Sequence, residues 1–275
     1  MDDGKSLFET KAHPFVWFAP AEREAILANA RHPVWGRFLG EVEAHFARRG
    51  ELTRPVFPVF CHDGDLDEVM ALSILAFVQG EKRHWQWIGE WLGEMAAYAR
   101  TAMPLWREHR NLVLQGDWKQ KSNPRQYFEG FTRGGLYWVE GGLMSSVLHL
   151  LDLLESEAPW ALGEEDKTTL LAALSDFADR YAFNEEGIKY SNRGVWANAG
   201  LLISAITCRD SLRAKVLLLQ CQRRNEELRS TFFDDGLHAE GSPDYHMMAA
   251  DGVLCYTALA ASALEDAEAF AGGSF

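Results

Sequence analysis

Apolar residues in this chain return every three or four positions and almost nowhere alternate, and that spacing commits most of its length to helix. Leu66, Val69, Met70, Ser73, Ile74 and Phe77 share one helical face, with Asp65 and Glu68 reading as its N-cap signal and Gly80 as its stop. A second helix is expected from about Trp85 to Ala102, with Ile88, Trp91, Leu92, Met95 and Ala96 on its apolar face. Further helices are expected near 21–30, 35–49, 133–155, 165–182, 195–207, 211–231 and 245–264, the last carrying Met248, Leu254, Tyr256 and Leu259. Only 56–60 (VFPVF) and 111–115 (NLVLQ) read as extended. The expectation is one all-α domain over residues 1–275, built from antiparallel helix pairs. Such pairs can close into an (α/α) toroid, but periodicity does not separate a toroid from a bundle or an open solenoid, and no strict repeat is present.

Nearly half of the 275 residues are apolar, enough for a substantial core. The 27 basic against 40 acidic residues give a net charge of −13, which argues against nucleic-acid binding through phosphate neutralisation. It leaves room for a local basic cleft and an anionic substrate. No apolar run reaches the length of a membrane span. The opening MDDGKSLFET lacks the basic and apolar regions of a secretory signal, so the expected location is the cytoplasm, or the periplasm after removal of a signal. Cys61, Cys208, Cys221 and Cys255 are scattered in apolar surroundings without zinc spacing, and read as buried free thiols. His62-Asp63-Gly64-Asp65 reads as turn and cap rather than a metal loop, and no phosphate-binding or dinucleotide fingerprint occurs; no cofactor is expected. His84, His109 and His149 stand alone on helical segments and read as structural.

Three polar stretches containing Gly or Pro interrupt the helices: 116–132, 184–196 and 233–246. Loops on a rigid frame are where function concentrates. The third contains Asp235-Gly236, a turn, then His238, Glu240, Ser242, Tyr245 and His246. Ser242-Pro243 reads as N-cap and first helical residue, which puts Tyr245 and His246 in the opening turn of the next helix. The second stretch leads into a helix through Tyr190, Ser191, Asn192, Arg193 and Trp196. Asn192 suits a cap, and its amide equally suits a carboxylate held near a helix start. The first stretch interleaves Trp118, Lys119, Lys121, Arg125, Tyr127 and Arg133; it reads equally as a solvated loop anchored by its aromatics or, with Trp138 and Trp196, as a wall for an acidic sugar chain. Most of the ten tryptophans are expected in the core.

The two later stretches together resemble the heparinase II/III-like polysaccharide lyases and the related alginate lyases. DGLHAEGSPDYH, from Asp235 to His246, is similar to that superfamily's DG-x-x-x-E-x-S-P-x-Y-H motif, and SNRGVWAN resembles the Asn motif that opens an inner helix in alginate lyases. Weaker likeness lies in His13-Pro14, in PAEREAILANARHPVWGRFL and in LHLLDLL, which ends at Leu154. The resemblance implies a minimal or incomplete (α/α) toroid, without the C-terminal β-sandwich of the family, in a bacterial-type enzyme.

It also implies β-elimination at a uronic acid. The C5 proton is weakly acidic, so the adjacent carboxylate must be neutralised, a role that falls to Asn192. A base takes the C5 proton and an acid protonates the departing O4. Tyr245 matches the family's tyrosine acid, which in some members is also the base, and Arg193 or His246 would stabilise its anion. Where alginate lyases have His after the Asn, this chain has Arg193, which leaves His238 and His246 as alternative bases or lets Arg193 bind the carboxylate bidentately. Glu240 matches a residue that holds such a site together, and Tyr190, Trp196, Lys119, Arg125 and Trp138 are candidates for sugar contact. The implied partner is an acidic polysaccharide, with scarce Lys/Arg clusters favouring a non-sulfated one. Two alternatives stand beside the lyase. One is a toroid glycoside hydrolase using a carboxylate pair drawn from Glu129, Glu140 and Asp235; the other is a non-catalytic carbohydrate-binding domain.

Overall fold

The computed structural model describes residues 4–49, 63–114, 137–176, 178, 192–234, 239 and 243–264, with backbone alone at 49, 63–66, 101–114, 137–142, 192–193, 245 and 248. Among the described residues there are helices and turns and no strand. In chain order the helices are α1 (Leu7–Thr10), α2 (Arg23–Asn29), α3 (Pro33–Arg49), α4 (Asp63–Gln79), α5 (Lys82–Leu114), α6 (Tyr137–Glu157), α7 (Glu164–Ser175), α8 (Asn192–Thr207), α9 (Ser211–Arg229) and α10 (Pro243–Ala263). Short 3-10 turns at Pro20–Glu22 and Pro159–Ala161 join neighbours.

The helix pattern is largely as expected, with informative exceptions. Gly80 ends α4 at φ 72°, a left-handed conformation that suits glycine at a helix C-terminus. Asp65 is not a cap: α4 already begins at Asp63. Residues 111–114, expected to be extended, continue α5, because their apolar run does not interrupt the helical ladder begun at Lys82. The other extended stretch, 56–60, lies outside the described residues.

The core is organised around α6 and α8. Residues 143–154 of α6 are buried on every side, as are nearly all of 194–207 in α8. A helix that is apolar all round must sit inside the molecule, and leucines such as Leu148 and Leu202, with no exposed surface, contribute about 1.5–3 kcal/mol each. The other helices bury one stripe: on α5 this is Trp85, Ile88, Trp91, Leu92, Met95 and Ala96.

Specific contacts fix helix direction. The Ser145 hydroxyl and Cys255 thiol lie 2.9 Å apart, joining α6 to α10. Seven residues further along each helix, Asp152 accepts from the Val16 amide and Ser262 donates to the Val16 carbonyl. The two helices therefore advance together. On α8, Val195 and Trp196 face Gly252, and Asn198 faces Tyr256, so α8 also runs with α10. Helix α9 returns antiparallel, with Cys221 beside Asn198 and Leu228 beside Val195. Ser204 of α8 donates to the Leu174 carbonyl at 2.8 Å, which ties in the end of α7.

The N-terminal segment is clamped across this frame. Asp152, fully buried, accepts from His13 Nδ1 and from the amides of Phe15 and Val16, each at 2.7 Å. Arg209 makes a two-pronged bond to Glu9 at 2.7 and 3.0 Å. Burial opposes ionisation of Glu9, but hydrogen bonds from Arg209 and Ser6 outweigh it and bring the carboxyl down to about 2.

Candidate functional site

Two helix starts carry the motif residues. Asn192 is the first residue of α8, one position further in than a cap, and Arg193 is the second. Pro243 opens α10, as expected, so Tyr245 and His246 fall in its first turn, with His246 half-buried. Because α8 and α10 are neighbours running the same way, these starts lie at one end of the molecule. The pairing of Val195 with Gly252 sets Asn192 level with Ala249, so Tyr245 stands about one turn (roughly 5.4 Å) beyond it. Trp138, second residue of α6, belongs to the third helix running in this direction.

Glycine sets how closely α8 and α10 approach. A Cβ on Gly252 would stand 2.9 Å from Val195 Cγ1 and 3.3–3.4 Å from the Trp196 ring. The indole of Trp196 thus lies against α10. Beneath, Val195, Leu228 and Ala249 pack with Phe232 and Val253 in a small apolar cluster.

One level further in is a polar cluster. Asn198 Nδ2 donates to the Cys221 carbonyl at 3.4 Å, and its side chain stands beside Tyr256. Burial, reinforced by Cys221, pushes the Tyr256 phenol upward, and burial likewise raises the Cys221 thiol. Both therefore stay protonated and neither is a candidate base or nucleophile. Cys208 and Cys221 are buried free thiols, as expected; Cys255 is only partly buried.

His238, Glu240, Tyr190, Lys119, Arg125, Trp118, Lys121, Tyr127, Arg133, Glu129 and Asp235 lie outside the described residues, as does Cys61. Among the described residues no cluster of His, Cys, Asp and Glu is placed to hold a metal ion, and no helix is long and apolar enough to cross a membrane.

Two groups on LHLLDLL carry more than the sequence suggests: Asp152, which has no motif of its own, and His149, which reads there as structural. Asp152 is the anchor of the N-terminal clamp, so the segment around His13-Pro14 and LHLLDLL, separate sequence features, meet in space. His149, one turn earlier, is buried beneath Trp17 at a ring separation of 4.2 Å. The available signal was a charged and a titratable residue inside an otherwise leucine-rich run, where unpaired polar groups are costly.

No protein-family model, no curated protein and no solved structure matches the chain.

Proposed function

We propose that the protein is a polysaccharide lyase that cleaves a uronic-acid-containing polymer by β-elimination, on an (α/α) toroid of which α6, α8 and α10 are inner helices. The observation that carries the reading is the shared direction of α8 and α10, whose neighbouring starts hold Asn192 and Tyr245. Unpaired amides at helix starts favour anions, so this end of the molecule suits the substrate carboxylate. Asn192 neutralises that carboxylate as the C5 proton leaves, and Arg193 adds a bidentate cation. Tyr245 protonates O4, and His246 or His238 is the base.

The test is a panel of uronic-acid polysaccharides followed by ultraviolet absorbance of the unsaturated product. The expected result is a rise with at least one polymer, reduced about 10²–10⁴-fold in Tyr245→Phe with substrate binding retained. Asn192→Ala is expected to lose about 10²–10³-fold in kcat. A folded protein that gives a flat trace with every polymer defeats the reading. The second reading, a non-catalytic carbohydrate-binding domain, is favoured by Arg193 standing where alginate lyases have His. It predicts saturable polymer binding with no double bond formed.

A further inference from the structure

A cavity of about 340 Å³ opens between α2, α3, α4, α6 and the segment before α2. It is separate from the motif-bearing helix starts. The register of α6 with α10 puts Val139 level with Asn192, and His149 in the cavity wall is ten residues further on, about 15 Å along the axis.

The lining has a definite chemistry. Trp17, Trp35, Phe77 and Leu153 supply apolar and aromatic surface, and no Asp, Glu, Lys or Arg lines it among the described residues. Arg23, 5.3 Å from the Phe77 ring centroid, is held by Glu157 through two hydrogen bonds. Trp17 and Trp35 remain 48% and 52% exposed, unusual for tryptophans with a core beside them. His149 is all but buried at 3%, and its Nδ1 has no hydrogen-bond partner among the described residues. Burial holds its ring neutral, with the pKa down to about 3, so the wall carries no charge at neutral pH. A buried imidazole nitrogen without a partner is a loss that Phe or Leu would avoid. The sealed atom is Nδ1; the rest of the ring stands in the wall of the open aromatic cavity.

Size and polarity select the ligand. A cavity of about 150 Å³ holds benzene, so this one accommodates two fused rings. An ion would be stripped of water with no counter-charge, and a sugar would bury many hydroxyls against few partners. Ser73, one of the few polar lining residues, already donates to the Met70 carbonyl. We propose that this cavity binds an uncharged two-ring aromatic compound, flanked by Trp17 and Trp35, with the His149 ring as its polar contact.

The test is titration of the whole protein with 2-naphthol and with naphthalene, read by calorimetry and tryptophan quenching, without polysaccharide present. Saturable one-to-one binding of both is expected. Ile74→Trp, which fills the cavity from a position already 37% exposed, should weaken both at least tenfold while the thermal melt stays cooperative. His149→Phe should weaken 2-naphthol several-fold more than naphthalene. Absence of saturable binding overturns the proposal, as does binding untouched by both Ile74→Trp and Trp17→Ala. Displacement of 2-naphthol by a neutral disaccharide at similar concentration would also overturn it, and would make the cavity a sugar subsite. None of these outcomes depends on whether the lyase assay succeeds.

Discussion

Single residues inside α6 set the terms on which this molecule tolerates acid. His149 keeps its ring neutral when folded, with a pKa of about 3 against 6.5 when unfolded. Below pH 6.5 the unfolded chain takes up a proton that the folded chain refuses, so stability falls as pH falls and the decline continues until the buried ring protonates near 3. At pH 5 the loss attributable to His149 is about 2 kcal/mol. His149→Phe should flatten that part of the stability profile, measured by urea unfolding at pH 7 and pH 5; an unchanged difference would mean that the ring is solvated. Asp152 acts instead through its hydrogen bonds. Its carboxylate satisfies two buried amides and His13, so Asp152→Ala is expected to cost about 3 kcal/mol or more in the same measurement at pH 7. A loss below about 1 kcal/mol would show that the clamp relaxes without it.

At the scale of elements, the helices were legible because their periodicity is local chemistry. Trp85, Ile88, Trp91, Leu92, Met95 and Ala96 are buried as the spacing demands. What periodicity does not carry is whether a neighbour exists for each face. Ile74 and Leu254 share faces with buried residues yet are 37% and 66% exposed. Nor does it carry position across long separations: that Asn192 and Tyr245 open adjacent helices follows only from the packing of Val195 and Trp196 on Gly252. The motif residues were readable from their resemblance to a family pattern, whereas the His149 cavity, spread over five segments, had no local signature. Gly252→Ala tests the helix approach. The added methyl meets a β-branched side chain and an indole, neither of which swings freely, so a destabilisation of about 1–3 kcal/mol is expected in thermal or urea unfolding. A neutral or stabilising result would show that α8 and α10 part easily.

The whole molecule is held by contacts between distant parts of the chain. Glu9 meets Arg209 across 200 positions, His13 meets Asp152 across 139, and Val16 meets Ser262 across 246. The segment that makes them precedes everything it binds. During synthesis it must wait, undocked, until α6, α8 and α10 have formed, and long loops must close before its contacts can repay their cost. Its docking is therefore expected after the rate-limiting barrier. Phe8, 1% exposed within this segment, is a probe: Phe8→Ala should accelerate unfolding in a stopped-flow denaturant series and leave the refolding rate nearly unchanged. A slowed refolding arm would place the segment in the nucleus instead. If the segment docks late, the clamp is a closing step in time as well as a tie in space: a segment made before its partners finds its place after them, and the lifetime of the finished fold rests on how firmly it stays there.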